Sequence, residues 1–240
     1  MNLGFISDLH LSETNNSLTN AFIDFLKLHS SNLNQLYILG DLYEVWIGDD
    51  DSSSLITLTK DALSKASKSG LEIFFIHGNR DFLLDSSFAE SAGITILPDP
   101  FFFDYFGKKI SISHGDIFCI DDAEYQAFKK QVRSPEWKAE FLNKSLVERK
   151  SIASSMRDAS KRNSSQKDSM IMDVNTNEVA SFFDKYDIDL LIHGHTHKPN
   201  IHELGGKNSK IKRIVLGDWG KTGWCFYLDP TSQNLEEFKI

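Results

Sequence analysis

Cysteine, proline and long apolar runs are all scarce in this chain. Its 240 residues hold two cysteines, Cys119 and Cys225, and five prolines. Met1 leads straight into an apolar run, so the expectation is a chain with no signal peptide ahead of the fold. Two thiols in such a chain fit a reducing cytoplasm as ordinary reduced side chains. No run of 18 apolar residues exists, which excludes a membrane-spanning helix. Positive charge is also in deficit: the formal net charge of −8 argues against a general nucleic-acid binder. At 240 residues the chain suits one domain with an elaboration, long enough for a sizeable core.

What is present is five short clusters of metal-binding residues in a fixed order. They are Asp8-x-His10, Gly40-Asp41, Gly78-Asn79-Arg80-Asp81, His114-Gly115-Asp116 and His193-Gly194-His195-Thr196-His197. Each follows an apolar run: Leu3 to Ile6, Leu36 to Leu39, Ile73 to Ile76, Ile110 to Ile112 and Leu190 to Ile192. Short β-branched and aromatic runs stopped by Gly, Asp or His read as buried strands. Ligand sites in such sheets lie outside the carboxyl ends of the strands, so the five clusters are expected to converge on one edge of one sheet. A lone His or Asp at a strand end is commonly a capped turn or a solvated group. His29 and His202, outside any cluster, are read that way, and His77 is given a packing or supporting role. Five clusters that all fall after strands are not explained so.

The ligand count fixes the kind of site. Asp8, His10, Asp41, Asn79, His114, His195 and His197 supply seven candidates and no thiolate. One ion with an open position needs about three protein ligands, so seven is too many for one metal. Shared between two ions with Asp41 bridging, they suffice for both. Mixed carboxylate and imidazole ligation suits Mn, Fe or Zn and argues against Ca, which takes oxygen alone. Two ions roughly 3.5–4 Å apart clamp the attacking and leaving oxygens of an in-line displacement and acidify water between them. Phosphate ester or anhydride hydrolysis is the natural chemistry.

The stretch from Ala123 to Lys167 carries eleven Lys and Arg against five Asp and Glu, a balance of +6 that leaves −14 on the remainder. Trp137, Phe141, Leu142, Leu146 and Val147 recur at helical spacing, and Ile152 and Met156 stand four apart. Lying between the fourth and fifth clusters, it reads as a helical insertion at the site rim. Helices both basic and apolar suit an anionic lipid or membrane surface, and the spacing fits a covering lid and a packed subdomain equally. Phe101-Phe102-Phe103 reads as core ahead of the alternative, an exposed lipid-facing edge, and Asp49-Asp50-Asp51 reads as a solvated loop near the site.

The order D-x-H, G-D, G-N-x-D, H-G-D, G-H-T-H resembles the calcineurin-like metallophosphoesterase superfamily. The resemblance implies an α+β fold: a four-layer αββα sandwich with a dinuclear centre at one rim and a helical insertion (cap) over the active site. It implies Asp8, His10, Asp41 and His197 on one ion, and Asp41, Asn79, His114 and His195 on the other. Most members carry His where this chain has Arg80. A guanidinium stays charged and cannot act as a general acid, but it grips phosphate through parallel hydrogen bonds. That suits a leaving group needing no proton, such as a phosphate monoester leaving a pyrophosphate.

Longer stretches sharpen the match. Leu36 to Asp50, His77 to Leu84, Ile171 to Asn175, Leu191 to His197 and Arg213 to Trp219 resemble the UDP-2,3-diacylglucosamine diphosphatases of lipid A synthesis. That branch implies two Mn ions per chain and a nucleotide-linked lipid substrate split to UMP and 2,3-diacylglucosamine 1-phosphate (lipid X). It implies a cytoplasmic monomer working peripherally at the inner membrane, with residues of about 123–167 forming the acyl-chain pocket within one 1–240 domain. Asn79, Arg80 and His195 would be catalytic and would also touch substrate, joined by Asp122, Ser160, Ser164 and Lys167. Those last four rest on the resemblance alone. Another dinuclear phosphoesterase acting on a nucleotide or phosphodiester is the alternative.

Overall fold

The computed structural model describes residues 1–166, 173–205 and 210–240, with the side chains of 161, 163–166 and 210 left aside. Two mixed sheets stack face to face. The first runs β11-β10-β1-β2-β3-β4, from β1 (Leu3–Ile6), β2 (Gln35–Ile38), β3 (Glu72–Phe75), β4 (Ile94–Ile96), β10 (Thr222–Leu228) and β11 (Gln233–Lys239). The second runs β5-β6-β7-β9-β8, from β5 (Phe101–Tyr105), β6 (Lys108–Ser113), β7 (Leu190–His193), β8 (Asn200–Gly205) and β9 (Lys210–Val215). Strands β1 to β4 are parallel, as are β6, β7 and β9, while β5, β8, β10 and β11 run antiparallel at the flanks.

The alternation of side chains explains the layering. Leu3, Phe5, Tyr37 and Phe226 point one way and meet Ile110, Ile112, Leu190, Ile192 and Ile214 from the other sheet. Ile6, Leu36, Ile38 and Ile73 point outward onto α1 (Asn16–His29), α2 (Ser54–Lys68) and α3 (Ser86–Ala92). Leu191 points outward from the second sheet onto Val179, Phe182 and Phe183 of α7 (Thr176–Tyr186). Strands buried on both faces must be apolar throughout, which is why they read as continuous runs.

Two expectations change here. The five clusters do not share one sheet: the first three follow β1, β2 and β3, and the last two follow β6 and β7. They converge because both sheets present carboxyl ends at the same rim. The Phe run is also split. Phe101 and Phe103 pack between the sheets, whereas Phe102 on the opposite face is 39 % exposed and stacks against Phe182 and Tyr186. On the edge strand β5 only one face is turned to the other sheet, so period-two alternation puts Phe102 on the less covered side.

Between β6 and α7 come α4 (Ala123–Val132), α5 (Pro135–Leu142) and α6 (Leu146–Gln166). Trp137 and Phe141 stack at 4.8 Å and face the core, but Leu142 and Val147 are exposed. The helical period is reset between them, because α5 ends at Asn143 and α6 starts at a capping box, Ser145 and Glu148 bonding reciprocally. Asp49 and Asp50 are not simply solvated. Asp49 accepts from Trp46 Nε1, Asp85 N and Phe88 N, and Asp50 takes Arg149 in a two-pronged ion pair. Arg149 is 3 % exposed and also donates to the carbonyls of Ile47 (2.6 Å) and Lys144 (3.0 Å).

Removing that side chain orphans two carbonyls. Arg149→Ala should cost about 1–3 kcal/mol in urea unfolding, and amide exchange in α5 and α6 should quicken while that of the sheets stays slow.

Candidate metal centre

At the rim the chain leaves each strand through backbone that side chains rarely adopt. Asp8, His10, Asp41, His195 and His197 all have positive φ, between 49° and 70°. Such residues cost of order 1–3 kcal/mol each and persist only where their surroundings hold them. Five of the seven candidate ligands carry this strain, so neighbouring elements must hold it.

Backbone bonds supply part of the hold. Beyond β1 and β2 the pairing continues through the loops, Asp8 N to Gly40 O, His10 N to Asp41 O and Leu11 N to Leu42 O, all within 3.1 Å. Buried carboxylates add to it: Asp8 Oδ2 accepts from His195 N at 2.9 Å and Asp41 Oδ1 from Arg80 N at 2.8 Å. Asp81 accepts from Gly78 N (2.8 Å), Leu42 N (2.8 Å) and Asp41 N (3.3 Å), tying the second cluster to the third. Burial and the neighbouring Asp41 hold Asp81 above the ordinary carboxylate range. The two loops cross so closely that a Cβ on Gly78 would collide with Asp41 Oδ1, and one on Gly194 with Asp8 Oδ2.

The seven candidate ligands lie in one chain of contacts. Asp8 Oδ1 is 3.3 Å from His197 Nε2, and His197 Nε2 is 3.4 Å from His10 Nε2. Asp41 stands in the middle, Oδ2 4.0 Å from His10 Nε2 and Oδ1 3.9 Å from His114 Nε2. Asn79 Oδ1 lies 3.0 Å from both His114 Nε2 and His195 Nδ1. Asp8, His10 and His197 form one compact donor group and Asp8, Asp41 and His114 a second.

Proton bookkeeping tests whether cations fit. His114 Nδ1 faces the Leu39 carbonyl at 2.8 Å and His10 Nδ1 faces Glu44 Oε2 at 3.0 Å. Both partners only accept, so each Nδ1 carries hydrogen, and each ring would offer a bare Nε2 lone pair inward once that nitrogen gives up its proton. Those lone pairs face carboxylate and amide oxygens and one another, an arrangement that cations satisfy. Electrostatics agrees. Burial would push His114 down, yet Asp41, Asp8 and Asp116 raise it to about 9. Asp8 is held low: burial opposes, but the hydrogen bond and charge of His197 prevail, with His114 and His10 adding to them.

The remaining histidines are placed elsewhere. His193 faces away, its Nε2 3.3 Å from Arg213 Nη1, and burial pushes it down to about 4. His77 lies 2.7 Å from the Leu84 carbonyl and packs edge-on against Phe75. His29 packs on Phe25 and meets the Tyr227 hydroxyl, and His202 sits on the edge strand β8. Both cysteines are buried thiols outside any disulfide among the described residues, each pushed up to about 12 by burial, which leaves them unreactive.

Beside the centre opens a cavity of about 310 Å³. Its lining includes the polar side chains of Asn79, Arg80, Glu44, Asp122, Arg157 and Ser160 and the apolar ones of Val45, Trp46, Phe82, Trp137, Phe141 and Met156. Asp122 also accepts from Tyr125 N as the cap of α4. The Ser164 side chain and Lys167 lie outside the described residues. Arg80 Nε is buried with no hydrogen-bond partner among the described residues. Glu44, Asp81, Arg133, Tyr125 and Arg157 were given no task by sequence reasoning. Asp116 accepts the Tyr125 hydroxyl at 2.7 Å and pairs with Lys129 and Arg133, and Arg133 also donates to the Gly78 carbonyl. Glu44 and Asp81 had nearness to a cluster as their signal in the sequence, and Tyr125, Arg133 and Arg157 had none.

A family profile described as calcineurin-like phosphoesterase matches residues 1–199. The chain belongs to that family. Phosphoesterases of this family include close relatives over nearly the whole length. The UDP-2,3-diacylglucosamine hydrolase of Cellvibrio japonicus (strain Ueda107) is 42 % identical over 240 residues, covering 100 % of both chains. That of Escherichia coli O81 (strain ED1a) is 45 % identical over 219 residues, 91 % of each. Among solved structures, a novel archaeal phosphodiesterase superposes with a TM-score of 0.51 at 14 % identity over 100 % of both chains, a likeness of fold alone. The sandwich expected of the family is the observed architecture. Family membership carries divalent-metal use.

Metal binding must displace protons. With His114 raised to about 9 in the ion-free chain, apparent divalent-ion affinity should climb with pH between about pH 6 and pH 9, roughly tenfold per unit for each proton displaced. Calorimetric titration in buffers of differing ionisation heat would read proton release directly, and a flat profile would contradict this assignment.

Proposed function

We propose that this chain hydrolyses the pyrophosphate of UDP-2,3-diacylglucosamine, releasing UMP and lipid X, with two Mn ions as its cofactors. The observation that carries this reading is a donor cluster beside a cavity lined by both charged or polar and large apolar side chains. A substrate that joins phosphates to acyl chains matches that mixed lining. The near full-length likeness to proteins named UDP-2,3-diacylglucosamine hydrolase supports it.

Asp8, His10, Asp41 and His197 would hold one ion, and Asp41, Asn79, His114 and His195 the other. Asp41, within 4.0 Å of a histidine on either side, is positioned to be shared. Bound divalent ions would acidify water and offset charge on phosphoryl oxygens. The chain's own residues do the rest. The Asn79 amide and the Arg80 guanidinium, which line the cavity, would meet the phosphates. The unpartnered Arg80 Nε supplies a donor that costs nothing in broken bonds. Water oxygen joins the uridine-side phosphorus, and the bond from that phosphorus to the bridging oxygen breaks. The bridging oxygen leaves on lipid X as a phosphate monoester, stable without a proton, so an arginine suffices where an alkoxide would need an acid. His195 lies between Asn79 and Tyr125, within reach of the same phosphates.

The stretch of about 123–167 serves as the lipid-binding insertion of a single 1–240 domain, with Asp122, Ser160, Ser164 and Lys167 contacting the head group. Among the described residues no helix is long and apolar enough to cross a membrane. We infer a cytoplasmic monomer held peripherally at the inner membrane, its basic insertion suited to anionic lipid.

Metal-stripped protein should release no UMP from UDP-2,3-diacylglucosamine until Mn is added, and Asp41→Ala should lose several orders of magnitude in turnover even with Mn. Cleavage of a generic phosphodiester in place of this substrate would move the protein to another branch. Each buried methylene is worth about 0.8 kcal/mol, part of which offsets removal from a membrane. UDP-glucosamine lacking both acyl chains should therefore turn over far more slowly, and equal rates would exclude the apolar wall from substrate binding.

A further inference from the structure

Glu44 joins the α4–α6 segment to the first donor group. Its backbone is fixed, since Glu44 N donates to Leu11 O at 3.0 Å as the loops after β1 and β2 continue to pair. Its side chain is 14 % exposed, and its two oxygens are divided between two partners. Oε2 lies 3.0 Å from His10 Nδ1, while Oε1 forms an ion pair with Arg157 of α6. Arg157 and Glu44 both line the cavity.

We propose that Glu44 is a positioning residue that couples the seating of α6 to the readiness of His10 to bind metal. The coupling rests on His10 being a metal ligand and is independent of the substrate's identity. A carboxylate 3.0 Å from Nδ1 favours the tautomer with hydrogen on that nitrogen and restrains the ring of a ligating histidine, leaving Nε2 for the ion. Glu44 keeps that orientation while Arg157 holds its other oxygen. When α6 lifts, the carboxylate loses its charged partner and turns freely, and His10 loses its support. Linkage makes the effect reciprocal: whatever seats α6 tightens metal binding, and metal binding seats α6 to the same extent. A substrate lodged beneath α6 would thereby complete the metal site that acts on it.

The test reads Mn affinity in the absence of substrate, by electron paramagnetic resonance of free Mn, for the parent, Glu44→Ala, Arg157→Ala, Arg157→Lys, the Glu44→Ala/Arg157→Ala double variant and His10→Ala. Glu44→Ala should weaken binding about 10–100-fold, as loss of a carboxylate behind a ligating histidine does. Arg157→Ala should weaken it several-fold, Arg157→Lys should recover part of that loss, and the double variant should be no worse than Glu44→Ala. Amide exchange gives the reciprocal reading: Mn should slow exchange in α6 of the parent but not of Glu44→Ala, and this comparison stands even if the double variant folds poorly. Parental affinity in Arg157→Ala with weakened binding in His10→Ala would overturn the coupling alone. Unchanged binding in His10→Ala would overturn the ligand assignment and the coupling together.

Discussion

The rim of this molecule depends on one buried carboxylate. Asp81 collects amide hydrogens from Gly78, Asp41 and Leu42, and thereby holds two loops closer than any side chain larger than hydrogen would permit at Gly78. The left-handed backbone at Asp8, His10, Asp41, His195 and His197 is tolerable because these loops are bonded to each other rather than to solvent. Strain and support lie within a few ångströms of one another. Free energy that would otherwise relax the loops is used to hold lone pairs face to face.

The same economy governs the α4–α6 segment. It is fastened to the sandwich by charged side chains that each satisfy several partners. Arg149 takes Asp50 and two carbonyls, Arg133 takes Asp116 and the Gly78 carbonyl, and Arg157 takes Glu44. Guanidinium groups suit this work because their donors are fixed in a plane and stay charged. Aromatic packing of Trp137 and Phe141 adds apolar contact without covering the cavity, whose wall these rings form. Fastening at a few polar points leaves an apolar hollow, which is what an amphiphilic substrate requires.

Much of this was legible beforehand. Apolar runs ended by Gly, Asp or His located β1, β2, β3, β6 and β7 to within one or two residues, because strands buried on both faces admit little else. The seven candidate ligands could be picked out because their residue types are costly at strand ends unless they serve something. Family resemblance added the layer order, which no periodicity encodes. Less legible were residues whose task depends on a distant partner. Val147 looked like part of an apolar stripe until a capping box at Ser145 restarted the helical phase, and Phe102 looked like core until its strand proved to be an edge.

By itself the sequence determined the five strands that lead into the clusters, which residues can ligate a cation, and that Arg80 cannot act as an acid. These follow from local chemistry: side-chain pKa, hydrogen-bond inventory and period-two burial. Only the tertiary structure decided that the clusters come from two sheets rather than one, that Asp81 clamps their loops, and that Glu44 joins a helix to a histidine ring. Each of those depends on contacts between residues tens of positions apart, and neither spacing nor composition carries information about such a contact until the chain has closed on itself.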